Sequence, residues 1–234
     1  MLLSDGGISY LKINNTMNPV LNGIQLTELV YGSPTKEQDA YIKGQGKALT
    51  AVLSSEDRGL FFNTPFPSNV SPTVKRELEE LQRLTNRISA TDLEFAKQSE
   101  KDHYGSWIGF LYNNGIQVSK SFFTDIEKNT NGLIYSLKYH YNRPRPFQLG
   151  VYHRIPVNQT ISTNANTPAY PSGHAFEAKL FSLVLSEKYP FAKEKIQKFG
   201  LLHAESRLNA GVHYRSDTEF GYKLADWVFF NKCF

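Results

Sequence analysis

Residues 171–230 read PSGHAFEAKLFSLVLSEKYPFAKEKIQKFGLLHAESRLNAGVHYRSDTEFGYKLADWVFF. This stretch decides the fold. Ser172 is a natural N-cap, and the apolar-rich run from Ala175 to Leu185 behind it predicts a helix from Gly173 to about Lys188. A second helix is expected near Phe191 to Ala210, ended by Gly211 at the C′ position. Ser216-x-x-Glu219 reads as a capping box that opens a third helix, from about Asp217 to Phe230. Three successive helices leave His213 in the corner between the last two.

Working outward, the same signals recur upstream. Ser33-Pro34 is a cap followed by proline and opens a candidate helix to about Ser54. Gly59 to Val70 reads as loop. Ser71-Pro72 starts a helix whose apolar stripe is Leu78, Leu81 and Leu84, ending near Ile88. Thr91-x-x-Glu94 opens a helix towards Tyr112, and Asn113-Asn114-Gly115 breaks it. A further helix covers about Val118 to Tyr141, with a weak point at Asn129 to Gly132. In Asn142-Arg143-Pro144-Arg145-Pro146 both arginines precede proline and are therefore extended. A long polar loop is expected from there to Tyr170. With no strand ladder, repeat or linker, the expectation is an all-α fold, a single compact bundle-like domain of about seven or eight helices. Residues 33–234 would form that helical domain, with residues 1–32 an irregular arm packed on its core and Asn22-Gly23 a tight turn.

Composition is that of an ordinary globular chain of 234 residues, 40% hydrophobic and 21% charged. At 13%, Phe, Tyr and Trp supply much of the packing area. The single cysteine, Cys233, excludes an intrachain disulfide. No apolar run approaches the roughly 18–20 residues of a membrane span. The N-terminus lacks a basic region followed by an apolar stretch, so a soluble, cytoplasmic protein is expected rather than a secreted one. The net charge of +4 is unevenly spread: residues 128–176 contain no Asp or Glu but hold Lys128, Lys138, Arg143, Arg145 and Arg154. Such a segment suits an anionic partner. Its cations are few and interleaved with prolines, unlike a nucleic-acid stripe, so a small anion is favoured and nucleic acid is not expected.

Three blocks carry the chemistry. In Lys138-(x6)-Arg145-Pro146 a helix-terminal lysine and an extended arginine can converge, a point charge beside a planar fork. Taken alone, Lys138 would merely complement a helix dipole. In Pro171-Ser172-Gly173-His174 a capped helix N-terminus offers free amides to an anion, and Gly173 permits close approach. His174 there can deliver a proton, although an exposed helix histidine is an equal reading. In Ser206-Arg207-(x5)-His213-(x3)-Asp217 a carboxylate can fix the His213 tautomer and leave Nε2 as a nucleophile, while Arg207 adds a third cation. A structural His–Asp pair is the plain alternative. His103, His140, His153 and His203 show no ligand spacing and read as packing or surface residues, with Arg143 and Arg215 as a basic rim.

Together the blocks resemble the type-2 phosphatidate phosphatase and vanadium haloperoxidase superfamily, whose signature is Lys-x6-Arg-Pro, Pro-Ser-Gly-His and Ser-Arg-x5-His-x3-Asp. The likeness is greatest to soluble class A non-specific acid phosphatases, and it covers residues 138–217. It implies a phosphomonoester hydrolase. His213 would form a phosphohistidine, Asp217 would orient it, and His174 would serve as general acid and base. Lys138, Arg145, Ser172, Gly173 and Arg207 would hold the phosphate. It also implies a small phosphorylated substrate, no metal or other cofactor, and a homodimer. The alternatives are a vanadium-dependent haloperoxidase, which would hold vanadate at the same ligands, and a non-catalytic anion-binding helical protein.

Overall fold

The structure, a computed structural model, describes residues 2–5, 8–11, 26–40, 43, 54–162 and 167–231. The Asn22-Gly23 turn and most of the helix expected up to Ser54 lie outside these residues. The chain is all-α, with nine α-helices among the described residues. The expected irregular start is corrected in one place. Leu2–Asp5 (β1) and Ile8–Leu11 (β2) pair antiparallel, Leu2 opposite Leu11 and Asp5 opposite Ile8. The missed sequence signal is the Gly6-Gly7 pair between two alternating runs.

Local capping explains most element boundaries. Residues 36–40 are helical, and Thr35, not Ser33, opens them: Gln38 N donates to Thr35 Oγ1 and Thr35 N to Gln38 Oε1. Helix α1 (Ser55–Phe62) runs into the stretch from Gly59 that was expected as loop, and it is opened by Asp57 N donating to the Ser54 hydroxyl. Helix α2 (Pro72–Asn86) starts at the predicted Ser71 cap. The helix expected from Thr91 to Tyr112 is two, α3 (Ala90–Lys101) capped by Ser89 and α4 (His103–Tyr112). The break is Asp102, whose carboxylate takes the Gly105 N–H at 2.9 Å and ends one helix to start the next. Helix α5 (Lys120–Tyr141) runs without interruption, because Asn131 bonds back to Glu127 rather than competing with the backbone. A short helix α6 (Pro146–Gly150) occupies part of the expected loop; Pro146 sits at its first turn, and Arg145 N donates to Gln148 Oε1.

The C-terminal trio follows the expected order: α7 (Gly173–Lys188), a 3₁₀ turn (Pro190–Ala192), α8 (Lys193–Asn209) and α9 (Arg215–Phe230). Helix α7 packs against both α8 and α9, and α8 also meets α2 and α3. Between these helices lies an aromatic core. Trp107 is fully buried, stacks on His203 at 5.4 Å and meets Phe199 edge-on at 5.0 Å. Phe123 and Phe181 pack edge-to-face beside it at 4.9 Å. A second cluster joins Val74, Leu78 and Leu81 of α2 to Leu149, Leu208 and Tyr214, with Leu26 and Leu29 against it. Truncating a core aromatic of this kind costs about 3–5 kcal/mol. No helix among the described residues is long and apolar enough to cross a membrane.

Candidate active site

Helix α8 ends in two crossed hydrogen bonds, Gly211 N to Leu208 O and Val212 N to Arg207 O. They require a left-handed residue, and Gly211 has φ +71°. The chain then turns through His213, which is 3% exposed, into α9. The cap differs from the expected Ser216/Glu219 box. Tyr214 N donates to Asp217 Oδ2 at 2.8 Å, so Asp217 itself closes the first turn of α9.

The same carboxylate carries two further contacts. His213 Nδ1 is 3.2 Å from Asp217 Oδ2, and Arg143 donates to Oδ1 at 2.5 Å. Burial alone would raise the Asp217 carboxyl, but Arg143, His213 and the Tyr214 N–H hold it at about 2. Arg143 also reaches Glu77 at 3.2 Å and lies over the Tyr214 ring. Far from forming a basic rim, Arg143 is fully buried behind the histidine.

Arg145 faces the other way. Its Nε donates to Thr167 O at 2.9 Å and its Nη1 to Val212 O at 2.7 Å, with Nη1 also 3.0 Å from His213 Nε2. Arginine has no acceptor, so Nε2 must carry the lone pair, and Nδ1 carries the proton given to Asp217. Burial first, then Arg145, pushes the His213 imidazole down to about 3. Lys138, in the last turn of α5, donates to Pro168 O at 2.8 Å. Burial and then the nearby Arg145 charge lower its pKa well below the ordinary lysine value.

Helix α7 brings its N-terminus to this corner. Ser172 N donates to Asp217 O at 3.1 Å, and the Ser172 hydroxyl takes the Ala175 N–H. The close approach of α9 depends on Gly221, where a Cβ would sit 2.9 Å from Ser172 O and 3.2 Å from Phe176 N. Lys138, Arg145, Gly173, His174 and His213 line one cleft of about 710 Å³. Asp217 lies behind them, and Ser172 is buried as the cap. Arg207 is turned away from the cleft. It donates to Glu100 at 2.6 Å, Ala96 O at 3.0 Å and Ser99 Oγ at 2.8 Å.

Several residues here escape the sequence reading. Glu100 holds Arg207 and stands 3.9 Å from His174 Nε2. His103 lines the cleft with its ring 5.1 Å from that of His174, while His203 lies buried behind it, 3.1 Å from the Ser106 hydroxyl. Burial, then Arg207 and the neighbouring histidines, lowers the His174 pKa well below its ordinary value. Spacing gave no signal for Arg143: residues two apart in an extended chain share a face, yet Arg143 reaches Asp217 behind His213 while Arg145 reaches His213 Nε2. By contrast, His140 and His153 bond the carbonyls of Phe62 and Asn69, and Arg215 pairs with Glu80 and Glu205. Among the described residues, no group of three or more His, Cys, Asp or Glu side chains is arranged to hold a metal ion.

Comparison with known proteins finds similarity over the part of the chain that holds this geometry. The non-specific acid phosphatase of Salmonella typhimurium is 35% identical over 86 residues, 37% of this chain and 34% of that protein. An acid phosphatase of Zymomonas mobilis subsp. mobilis is 31% identical over 94 residues, 38% of this chain and 33% of that protein. The matched stretch thus spans about a third of the length of these curated relatives. A transmembrane PAP2 type phosphatidylglycerolphosphate phosphatase from Bacillus subtilis superposes with a TM-score of 0.36 at 15% identity, over 84% of this chain and 94% of that one. Residues 128–229 match the PAP2 superfamily. Every predicted site residue lies inside that span, so the site falls wholly within the stretch that is similar to the PAP2 superfamily.

Proposed function

We propose that this domain hydrolyses phosphate monoesters through a phosphohistidine on His213, without a metal. The observation that carries the reading is the locked imidazole: Nδ1 is tied to Asp217, and Nε2 keeps its lone pair beside Arg145 in the cleft. A phosphoryl group between Lys138, Arg145 and the amides at the start of α7 meets cations already fixed by protein partners. Their reorganisation cost during reaction is therefore small. Nε2 attacks phosphorus in line as the ester P–O bond breaks, and His174 gives its proton to the departing oxygen. In the second half, His174 takes a proton from water, which attacks phosphorus and breaks the N–P bond, releasing inorganic phosphate. Asp217 stabilises the imidazolium throughout. Ser172 holds the α7 N-terminus, and Arg207 contributes positive charge from behind Glu100. Burial and the surrounding cations dispose His174 to be neutral; a phosphate dianion beside it supplies the opposite charge that raises its pKa and loads the proton.

The test is hydrolysis of p-nitrophenyl phosphate in excess EDTA, wild type beside His213→Ala, with alkaline quenching to trap phosphohistidine. Chelator-resistant turnover that vananishes in the variant, with trapped label only in wild type, is the expected result. Unchanged turnover in His213→Ala sinks the reading. An inactive wild type directs the next assay to bromide oxidation with vanadate and peroxide.

A further inference from the structure

Beyond the phosphate cradle, the cleft has a wall of different chemistry. Glu177 lies one helical turn after His174 on α7, on the same face, and both line the cleft. If His174 protonates the departing oxygen, Glu177 stands beside the next atoms of the leaving group. His103 closes on it from α4, with Nε2 3.3 Å from Glu177 Oε2. Yet both ring nitrogens of His103 are buried without a hydrogen-bond partner, so the pair is held close but not satisfied. From the third side, Glu127, Asn131, Ile134 and Lys138 form a stripe along α5, spaced to share one face, and all four line the cleft. Asn131 donates to Glu127 and holds that carboxylate in place. Of the wall's cations, Lys138 is buried and turned to Pro168 O, and Lys101 and Lys120 are exposed at the mouth, whereas the Glu177 side chain is only 17% exposed. Burial, and then Glu127, raises Glu177 to about 8 against the opposing pull of Lys138, which leaves a carboxyl that would gain from a further cationic neighbour.

We infer that Glu177, backed by His103 and flanked by Glu127, reads the leaving group and favours phosphomonoesters whose alcohol carries an ammonium over those carrying a second anion. The inference rests on the hydrolase reading and narrows its substrate class. An ammonium two or three bonds from the ester oxygen favours the ionised form of Glu177 beside Glu127, whereas a carboxylate there meets the Glu127 charge and keeps Glu177 protonated in a poorly hydrated wall.

The experiment compares kcat/KM for O-phosphoethanolamine, ethyl phosphate and phosphoglycolate, whose leaving groups are similar in size and differ in charge. Wild type, Glu177→Gln and Glu127→Gln are measured, with p-nitrophenyl phosphate as reference. Comparing variants cancels the intrinsic reactivity of each ester. The phosphoethanolamine-to-phosphoglycolate ratio is expected to fall about tenfold in Glu177→Gln and less, in the same direction, in Glu127→Gln. A ratio unchanged in Glu177→Gln while p-nitrophenyl phosphate is still hydrolysed overturns the inference and leaves the hydrolase reading standing. If Glu177→Gln does not fold, an unchanged ratio in Glu127→Gln overturns it equally. No turnover of p-nitrophenyl phosphate by wild type overturns the hydrolase reading, and this inference with it.

Discussion

The rear and front of the cleft are built on opposite principles. At the rear, Arg143, Arg145, His213 and Asp217 are 3% exposed or less, and each has at least two named polar partners. At the front, Glu100, His103, Glu127, His174 and Glu177 come from four helices, are less buried, and meet at looser distances such as 3.3 and 3.9 Å. A buried charge is tolerable only when paired, so the rear is over-determined by its own electrostatics. Apart from His174, the proposed general acid, and Glu100, which pairs with buried Arg207, the front has no such obligation and is free to vary with what the cleft must accept.

The comparison breaks if rear and front respond alike. The largest expected effect is Asp217→Asn, which keeps the shape but removes the charge that fixes the His213 tautomer. Turnover of p-nitrophenyl phosphate should fall about 10³–10⁴-fold. On the front wall, Glu100→Gln should cost about tenfold or less, since it leaves Arg207 with Ala96 O and Ser99. Equal losses in the two variants would show that the wall is as obligatory as the rear.

Next comes stability. Arg143→Gln strands Asp217 and Glu77 without their shared cation and should destabilise the fold by about 3–5 kcal/mol in urea unfolding.

Acid should expose the same asymmetry. His213 and His103 are held to about 3, and His174 and His203 well below their ordinary range, all first by burial. Below pH 6.5 the unfolded chain protonates these four while the native state does not, so stability falls as pH drops. Glu177, raised to about 8, and Glu77, also raised, act in the opposite sense: the native state already holds their protons while the unfolded state binds them only near pH 4.5. Four histidines against two carboxyls leave a net proton uptake on unfolding, so stability falls as the pH drops from 7 towards 5. Urea midpoints at pH 7, 6 and 5 measure it. Added phosphate should flatten the slope, because a bound anion lets the cleft histidines take protons in the native state; a slope indifferent to phosphate would separate those histidines from the anion site.

The smallest effect sharpens the boundary between the regions. Gly221→Ala pushes a methyl group against Ser172 O and should cost about 1–3 kcal/mol, lowering turnover modestly by displacing the α7 N-terminus.

The rear was legible in the sequence because its geometry is local. Pro-Ser-Gly-His sets a helix start, Gly211 sets a helix end, and His213 and Asp217 lie within one turn of each other. Arg143 was misjudged because its partners are Glu77, 66 residues away, and Asp217, 74 away, distances no local pattern encodes. The front was illegible for the same reason. Glu100, His103, Glu127 and Glu177 acquire meaning only when α3, α4, α5 and α7 converge. Misread boundaries have a similar cause: Asp102 splits a helix through one side-chain hydrogen bond, a choice that apolar periodicity does not reveal.

Asp217 accepts the Tyr214 amide of α9, orients His213 and neutralises Arg143. Helix start, imidazole tautomer and buried cation therefore share one thermodynamic switch. If the first turn of α9 frays, the imidazole loses its tautomer at the same instant, so no partly opened form keeps His213 as the closed one holds it. Hydrogen exchange at the α9 N-terminus and reversible inactivation should then report the same opening free energy.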